Sequence, residues 1–464
     1  MKSLLKSALL FLAALSFACA EGDIVQSGGD GGWSDSDTLS TNHPSVLDTN
    51  VEEPGGADVG GRDSIADTGG GRPDIVHGEA DGEADSVELP DGASQGDADA
   101  SEEDVFEEPG CTDDGDCPDG RCHDVARVCV ASCCTFTVQD PWIDVGYVHN
   151  RFDIAVTEDG VPALIYADTT NNRLYYAQPV QNQWFTQLIS SDNMTSVNIR
   201  LGLDSNQDPH VILGRYQTLK HFWRDDTGWQ HHDLRVEPTG VSYVDIATDG
   251  QGGVHMIALL ANGGEILYSW RDAQGTRGSE VLDLPAENNA VWTNLVATSD
   301  GRPIASFQIG LDRDLYIAER DGLGDWYYEK VRANVSQVHA LAVGPDDQPR
   351  VAFHLTENDG LRLLKRQSGI WQEELVVAGA DDGFSPDIAV DALGDPHFVY
   401  QARTETQFDN PMRYVRWDGG QWENKVVDGV ERAFYPRIVV DGLGGVHAAV
   451  YDPRRNTVSY VKIE

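Results

Sequence analysis

Four histidines in this 464-residue chain each stand six positions after an aspartate: His210 after Asp204, His255 after Asp249, His397 after Asp391 and His447 after Asp441. A carboxylate and an imidazole at one repeated spacing can hold a metal ion, relay a proton or hydrogen-bond to each other. Each of these histidines directly follows a Pro or Val that recurs through the chain as Pro162, Pro209, Val254, Pro303, Pro349, Pro396 and Val446. The steps are 47, 45, 49, 46, 47 and 50 residues. The pairs therefore belong to separate copies of one unit. Copies spread around a ring cannot converge on a single ion, so the spacing predicts an Asp–His contact local to each copy and no metal site.

The elements that must position these residues follow from the same register. Eight residues before the recurrent Pro or Val stand Ile154, Leu201, Ile246, Leu295, Leu341, Ile388 and Ile438. The next column, Ala155, Gly202, Ala247, Val296, Ala342, Ala389 and Val439, is small or of modest size. Alternating faces of a strand account for the difference. A second strand follows the Pro or Val, as in PALIY (162–166), and then a third, as in LYYA (174–177). A fourth opens on Trp184, Trp229, Trp326, Trp371 or Trp422, while the third copy reads RGSEVLDL (277–284) with no Trp. Four short strands per unit at this period are the pattern of propeller blades. The seventh unit stops after VSYVKI (458–463), one strand short, and CTFTV (134–138) has no blade of its own. Pairing of the two would remove an exposed edge. The expected fold is all-β: a seven-bladed β-propeller over 134–464, closed by an N-terminal strand.

Copies such as IAVDALGDPHFVY (388–400) and RYVRWDGGQW (413–422) resemble the repeats of bacterial exported propellers, which read roughly S-I-A-V-D-x-x-G-x-P-H-V-V-Y followed by L-x-Y and W-D-G-x-x-W. The resemblance spans about 330 residues. It implies a lipoprotein, an adhesion-type surface protein or a lectin-like module, and it bears on fold more than on activity.

The N-terminal quarter reads differently. Lys2 and Lys6, an apolar run over 8–17 and the small residues Ala18 and Ala20 make residues 1–20 a signal peptide. That run is too short to cross a bilayer, which takes ~20 helical residues. Ser16-Phe17-Ala18-Cys19 is a loose lipobox, so Cys19 is the expected lipidation site, with ordinary cleavage and secretion as the competing route. The protein is thus expected outside the cytoplasm, as an outer-membrane or cell-surface lipoprotein or a secreted one, touching membrane only through a lipid. Charge totals 33 basic against 77 acidic residues, and over 21–108 only Arg62 and Arg72 oppose the carboxylates. With so little apolar surface this stretch is expected to be a disordered acidic linker. Cys111, Cys117, Cys122, Cys129, Cys133 and Cys134 follow, spaced C-x5-C-x4-C-x6-C-x3-C-C over a module at 109–133. In an exported chain these are disulfide cysteines in any of 15 pairings. The spacing lacks zinc knuckles, and Asp113, Asp114, Asp116 and Asp119 miss the ligand order of a calcium loop.

Ligand-binding candidates lie on loops joining second to third strands and blade to blade, which face the channel mouth. They are Tyr147, His149, Arg215, Tyr216, Trp292, Arg313, Arg403, Tyr435 and Arg454, with Arg151, Asn171, Phe384 and Arg455 nearby and the loop 402–410 the longest. Aromatic and Arg side chains dominate docking surfaces. Sialidase-type Asp boxes, phosphate loops, nucleophile elbows and zinc helices are not found, and the acidic balance opposes nucleic-acid binding. No catalytic residue, metal or cofactor is expected. The function expected is a non-catalytic binding or scaffold propeller, monomeric, with a protein or glycan ligand. The alternative is a lectin-like module or a carbohydrate-active lyase or hydrolase.

Overall fold

The structure is a computed structural model. It describes residues 120–122, 129–131, 134–139 and 151–464, apart from 182, 195–196, 236–239, 262–263, 286–289, 356–359, 380–381 and 404–409. All of these belong to one unit, Ser101–Glu464. The signal, the linker, Tyr147, His149 and Cys19, Cys111, Cys117 and Cys133 lie outside the described residues.

Seven four-stranded antiparallel sheets make up an all-β, seven-bladed propeller. Blade 1 comprises Phe152–Val156, Pro162–Asp168, Arg173–Val180 and Gln183–Ser190. Blade 7 comprises Phe434–Val440, Val446–Asp452 and Thr457–Ile463, with Phe136–Gln139 hydrogen-bonded along its outer edge. There Phe136 lies opposite Ile463, and Thr135 and Glu464 exchange backbone bonds of 2.7 and 3.0 Å. Each first strand packs against the first strand of the next blade, and that of blade 7 packs against that of blade 1. A separate two-stranded sheet pairs Gly120–Cys122 with Cys129–Ala131, with Cys122 opposite Cys129.

Burial follows position in the blade. Every Ile or Leu of the column from Ile154 to Ile438 is buried, and so is the whole of the second strand Pro162–Asp168, because neighbouring blades cover both of its faces. The outer strand Gln183–Ser190 is largely exposed. The tryptophans opening the outer strands reach back to the preceding blade: Trp326 Nε1 donates to Glu280 Oε1 (2.9 Å), Trp371 to Glu329 (3.0 Å) and Trp422 to Glu374 (2.8 Å). Trp184 donates to Gln139 Oε1 (3.1 Å) on the strand along blade 7. Blade 3 solves its missing Trp with Arg277, whose guanidinium lies 4.9 Å over the Trp223 ring of blade 2. Its own Trp270 fills the space that a side chain at Gly278 would take.

These clasps are expected to matter energetically. Replacing Trp422 by Phe keeps an aromatic ring but removes the donor to Glu374, and should lower unfolding free energy by about 1–2 kcal/mol in urea titrations. An unchanged midpoint would show that the indole bond contributes nothing.

Candidate functional site at the channel mouth

The Asp–His pairs sit at the turn between first and second strands, the end of each blade opposite the mouth. One oxygen of Asp441 accepts the amides of Leu443 and Gly445 (2.8 and 2.7 Å), which fixes the turn. The other lies 3.0 Å from His447 Nε2, and His447 Nδ1 lies 2.7 Å from the Tyr460 hydroxyl. With the carboxylate accepting, the proton belongs on Nε2 and the phenol donates to Nδ1. Asp249–His255–Tyr268 and Asp391–His397–Tyr414 repeat the chain. Asp204 and His210 do so with His221 in place of Tyr, at 3.4 and 2.9 Å. Burial works against each of the four aspartates, yet bonds from His and backbone amides hold them below the ordinary carboxylate range. Burial, and then His210, push His221 well below its ordinary value. Each relay is local to its blade; those of blades 3, 6 and 7 end on a tyrosine hydroxyl, whereas that of blade 2 ends on His221, whose Nδ1 is buried without a hydrogen-bond partner among the described residues. Among the described residues, no cluster of three His, Cys, Asp or Glu could hold a metal ion.

Along the axis runs a charge belt on the column one residue before the buried Ile or Leu: Asp153, Arg200, Asp245, Asn294, Ala340, Asp387 and Arg437. Arg437 lies 3.7 Å from Asp387 and 4.0 Å from Asp153, and Arg200 lies 3.7 Å from Asp245. Each aspartate also accepts an amide of the next blade: Asp153 from Leu201 (2.9 Å), Asp245 from Leu295 (2.7 Å) and Asp387 from Ile438 (2.9 Å). Three carboxylates thus face two guanidiniums. Burial pushes Asp245 up to about 6 and also raises Asp387, against the pull of the arginines.

The mouth is where the repeat breaks its own rules. First strands of blades 3 to 7 all bulge at this end, and in blades 4, 6 and 7 a residue of the bulge, Trp292, Ser385 or Tyr435, has φ of 48°, 46° or 53°. A left-handed backbone is uncommon for bulky residues and clusters at functional sites. Arg313, in the turn between second and third strands of blade 4, has φ 51° where blades 1 and 7 place Asn172 and Asn456 at 55° and 53°. Asn suits that conformation, and Arg does not.

Arg313, Ser385 and Tyr435 line one cavity of about 340 Å3, together with His354, Phe384, Gln401 and Arg403. The Arg403 guanidinium lies 3.5 Å above the Phe384 ring, whose other contact is the buried His354 ring, edge-on at 4.9 Å. Blades 4, 5 and 6 end their second strands on buried Gln308, His354 and Gln401, where blades 1, 2 and 3 have Ala167, Gly214 and Leu259. Gln308 Nε2 donates to the Ser336 carbonyl (2.5 Å), and the His339 ring beside it, pushed down to about 3 by burial, stays neutral with Ser306 at 2.9 Å. The polar side of the mouth thus spans blades 4 to 7. Beside blades 3 and 4 a less polar cavity of about 540 Å3 is lined by Tyr243, Leu259, Val291 and Leu311 among others.

Of the residues singled out by sequence, the structure brings Arg313, Arg403, Tyr435 and Phe384 to one cavity. Trp292 instead packs its ring, tilted by 35°, against Tyr243 at 4.2 Å. Arg215 donates to the Asn193 carbonyl (2.5 Å), Tyr216 is exposed, Arg454 faces Glu431 at 3.4 Å and Arg455 faces Asp452 at 3.5 Å. Asn171 is tied into its turn by Asp168 (2.8 Å). Arg151 is held below its ordinary pKa by burial. In the loop 402–410, residues 404–409 lie outside the described residues. Sequence reading missed His354, Gln401 and the axial belt. Comparing polarity column by column across the seven copies would have exposed them.

No family model matches the chain, and no curated protein matches it. Among solved structures, the chain is similar to virginiamycin B lyase from Staphylococcus aureus, at 14% identity and TM-score 0.47 over 70% of this chain and 99% of that one. It is similar to Kuenenia stuttgartiensis hydrazine synthase at 11% and 0.48, over 69% and 99%. It is similar to the six-bladed Aleuria aurantia lectin at 15% and 0.41, over 62% and 97%. At these values nothing about ligand or reaction passes to this chain.

Two outcomes follow from the geometry. The folded Asp245 carboxyl holds its proton more tightly than an unfolded one of ordinary pKa ~3.9. Its contribution to stability is therefore greatest at low pH and falls as pH rises from ~4 to about 6. Asp245→Asn keeps an oxygen for the Leu295 amide and should flatten the melting temperature over that window; an unaltered pH slope would show that Asp245 does not carry it. Arg313→Asn restores the residue that blades 1 and 7 use, and should stabilise the fold by about 1 kcal/mol in the same melts. A loss of stability would mean that Arg313 supports the turn.

Proposed function

We propose that this protein is an exported, lipid-anchored, non-catalytic binding propeller that takes one ligand at the mouth of its channel, in the cavity between blades 4 and 7. The observation that supports this reading most is the gathering of Arg313, Ser385 and Tyr435 around one cavity, each on left-handed backbone that its residue type disfavours. Such conformations persist where the surrounding fold imposes them, and they cluster at ligand sites. The polar residues at the strand ends of blades 4, 5 and 6 make the site single and asymmetric, unlike a lectin with one pocket per blade. A two-carboxylate hydrolase needs an acid and a base flanking the bond, and none of the described lining residues is Asp or Glu. In this reading the six cysteines form a disulfide-stapled joint, and the acidic linker holds the propeller away from a lipid on Cys19.

Tyr435→Gly tests the site without straining the fold, because glycine adopts φ near 53° freely. The full chain should bind a glycan-array or envelope component with one-to-one stoichiometry, and this variant should lose at least tenfold in affinity at an undiminished melting temperature. Full retention of binding would move the site elsewhere. Mass spectrometry of the mature protein should find a lipid on Cys19; an unmodified N-terminus at or near residue 21 would make it a secreted protein instead.

A further inference from the structure

Resting on the mouth cavity as the binding site, we infer that its ligand carries a carboxylate on a sugar: a short saccharide ending in a uronic acid, its carboxylate held between Arg313 and Arg403 and its ring against the Phe384 and Tyr435 walls. Both guanidiniums line the cavity, and among the described residues no hydrogen bond or ion pair occupies either of them. Arg403 is oriented by stacking on Phe384 rather than by a carboxylate. A guanidinium fixed face-on to a ring keeps its N–H edge free in its own plane, the geometry that takes a carboxylate in two parallel hydrogen bonds. Other arginines of the propeller are treated differently: Arg320, Arg332, Arg362, Arg366 and Arg416 each pair with a glutamate.

The remaining lining suits a sugar better than a bare anion. Gln401, Ser336 and Ser385 offer hydroxyl- and amide-directed hydrogen bonds, Phe434 and Tyr435 offer apolar ring faces, and about 340 Å3 is at the small end of ligand sites. A formal net charge of −44 repels long polyanions at a distance. That favours one uronate at a chain end over an extended acidic polymer, with attraction supplied locally by the two arginines.

The test uses the full chain and a panel of neutral disaccharides extended by one terminal uronic acid of gluco, galacto or manno configuration, each beside its methyl ester, read by calorimetry. At least one acid should bind at a single site, and its ester should bind at least tenfold more weakly, because esterification removes the charge and leaves the ring. Arg313→Asn and Arg403→Gln should each weaken the acid at least tenfold, with folding checked by melting, and should leave the ester little changed. An ester as tight as its acid, or arginine variants that bind the acid normally, would overturn the uronate assignment. If no acid binds while a neutral array ligand still depends on Tyr435, the assignment falls and the mouth remains the site. If neither binds, both fall.

Discussion

The innermost strand of every blade has one edge that no strand of its own sheet can reach, and an unpaired amide there would be a buried or aggregation-prone defect. Three aspartates solve this on the axis: Asp153, Asp245 and Asp387 each accept an amide from the next blade's first strand. The same carboxylates set the positions of Arg200 and Arg437. A hydrogen bond from a backbone amide to a carboxylate is charge-assisted, and burial strengthens it. The belt therefore joins blade 1 to 2, 3 to 4 and 6 to 7 at the points of closest approach. At the rim the tryptophan clasps do the same work between outer strands, with Glu280, Glu329 and Glu374 as acceptors.

A ring held at axis and rim can tolerate irregularity elsewhere. At the end opposite the mouth there is little of it: the four Asp–His relays fix their turns, and each ends on a buried side chain, Tyr268, Tyr414, Tyr460 or His221. At the mouth, bulges in blades 4, 6 and 7 turn Trp292, Ser385 and Tyr435 off the regular strand path. The polarity of the strand ends changes between blades 3 and 4. Sevenfold repetition supplies the scaffold, and departure from it shapes the mouth cavity.

The architecture was legible because its cause is periodic. Seven buried Ile or Leu residues, seven small neighbours and the Pro or Val column recur at one spacing, and burial of both faces of the second strand demands that pattern. The local Asp–His contact was equally legible, since both residues lie on one hairpin and the distance is set by the turn. What could not be read was whatever joins one blade to the next: the belt contact of Asp153 with Leu201, or the stacking of Arg277 on Trp223 where a Trp was missing. The cavity was legible in part. Arg313, Arg403 and Tyr435 stood out as exposed types on mouth loops, whereas His354 and Gln401 looked like ordinary strand ends. Gln401 lies opposite Phe384 within blade 6 itself, and only the ring places His354 of blade 5 beside them.

Residue-resolved hydrogen exchange of the amides of Leu201, Leu295 and Ile438 tests the belt most directly. Each is predicted to exchange only on global unfolding, as slowly as the central second-strand amides, and to exchange quickly when its own aspartate is changed to Ala while the other two stay protected. Fast exchange of these three amides in the unaltered protein would contradict a belt that holds the blades together.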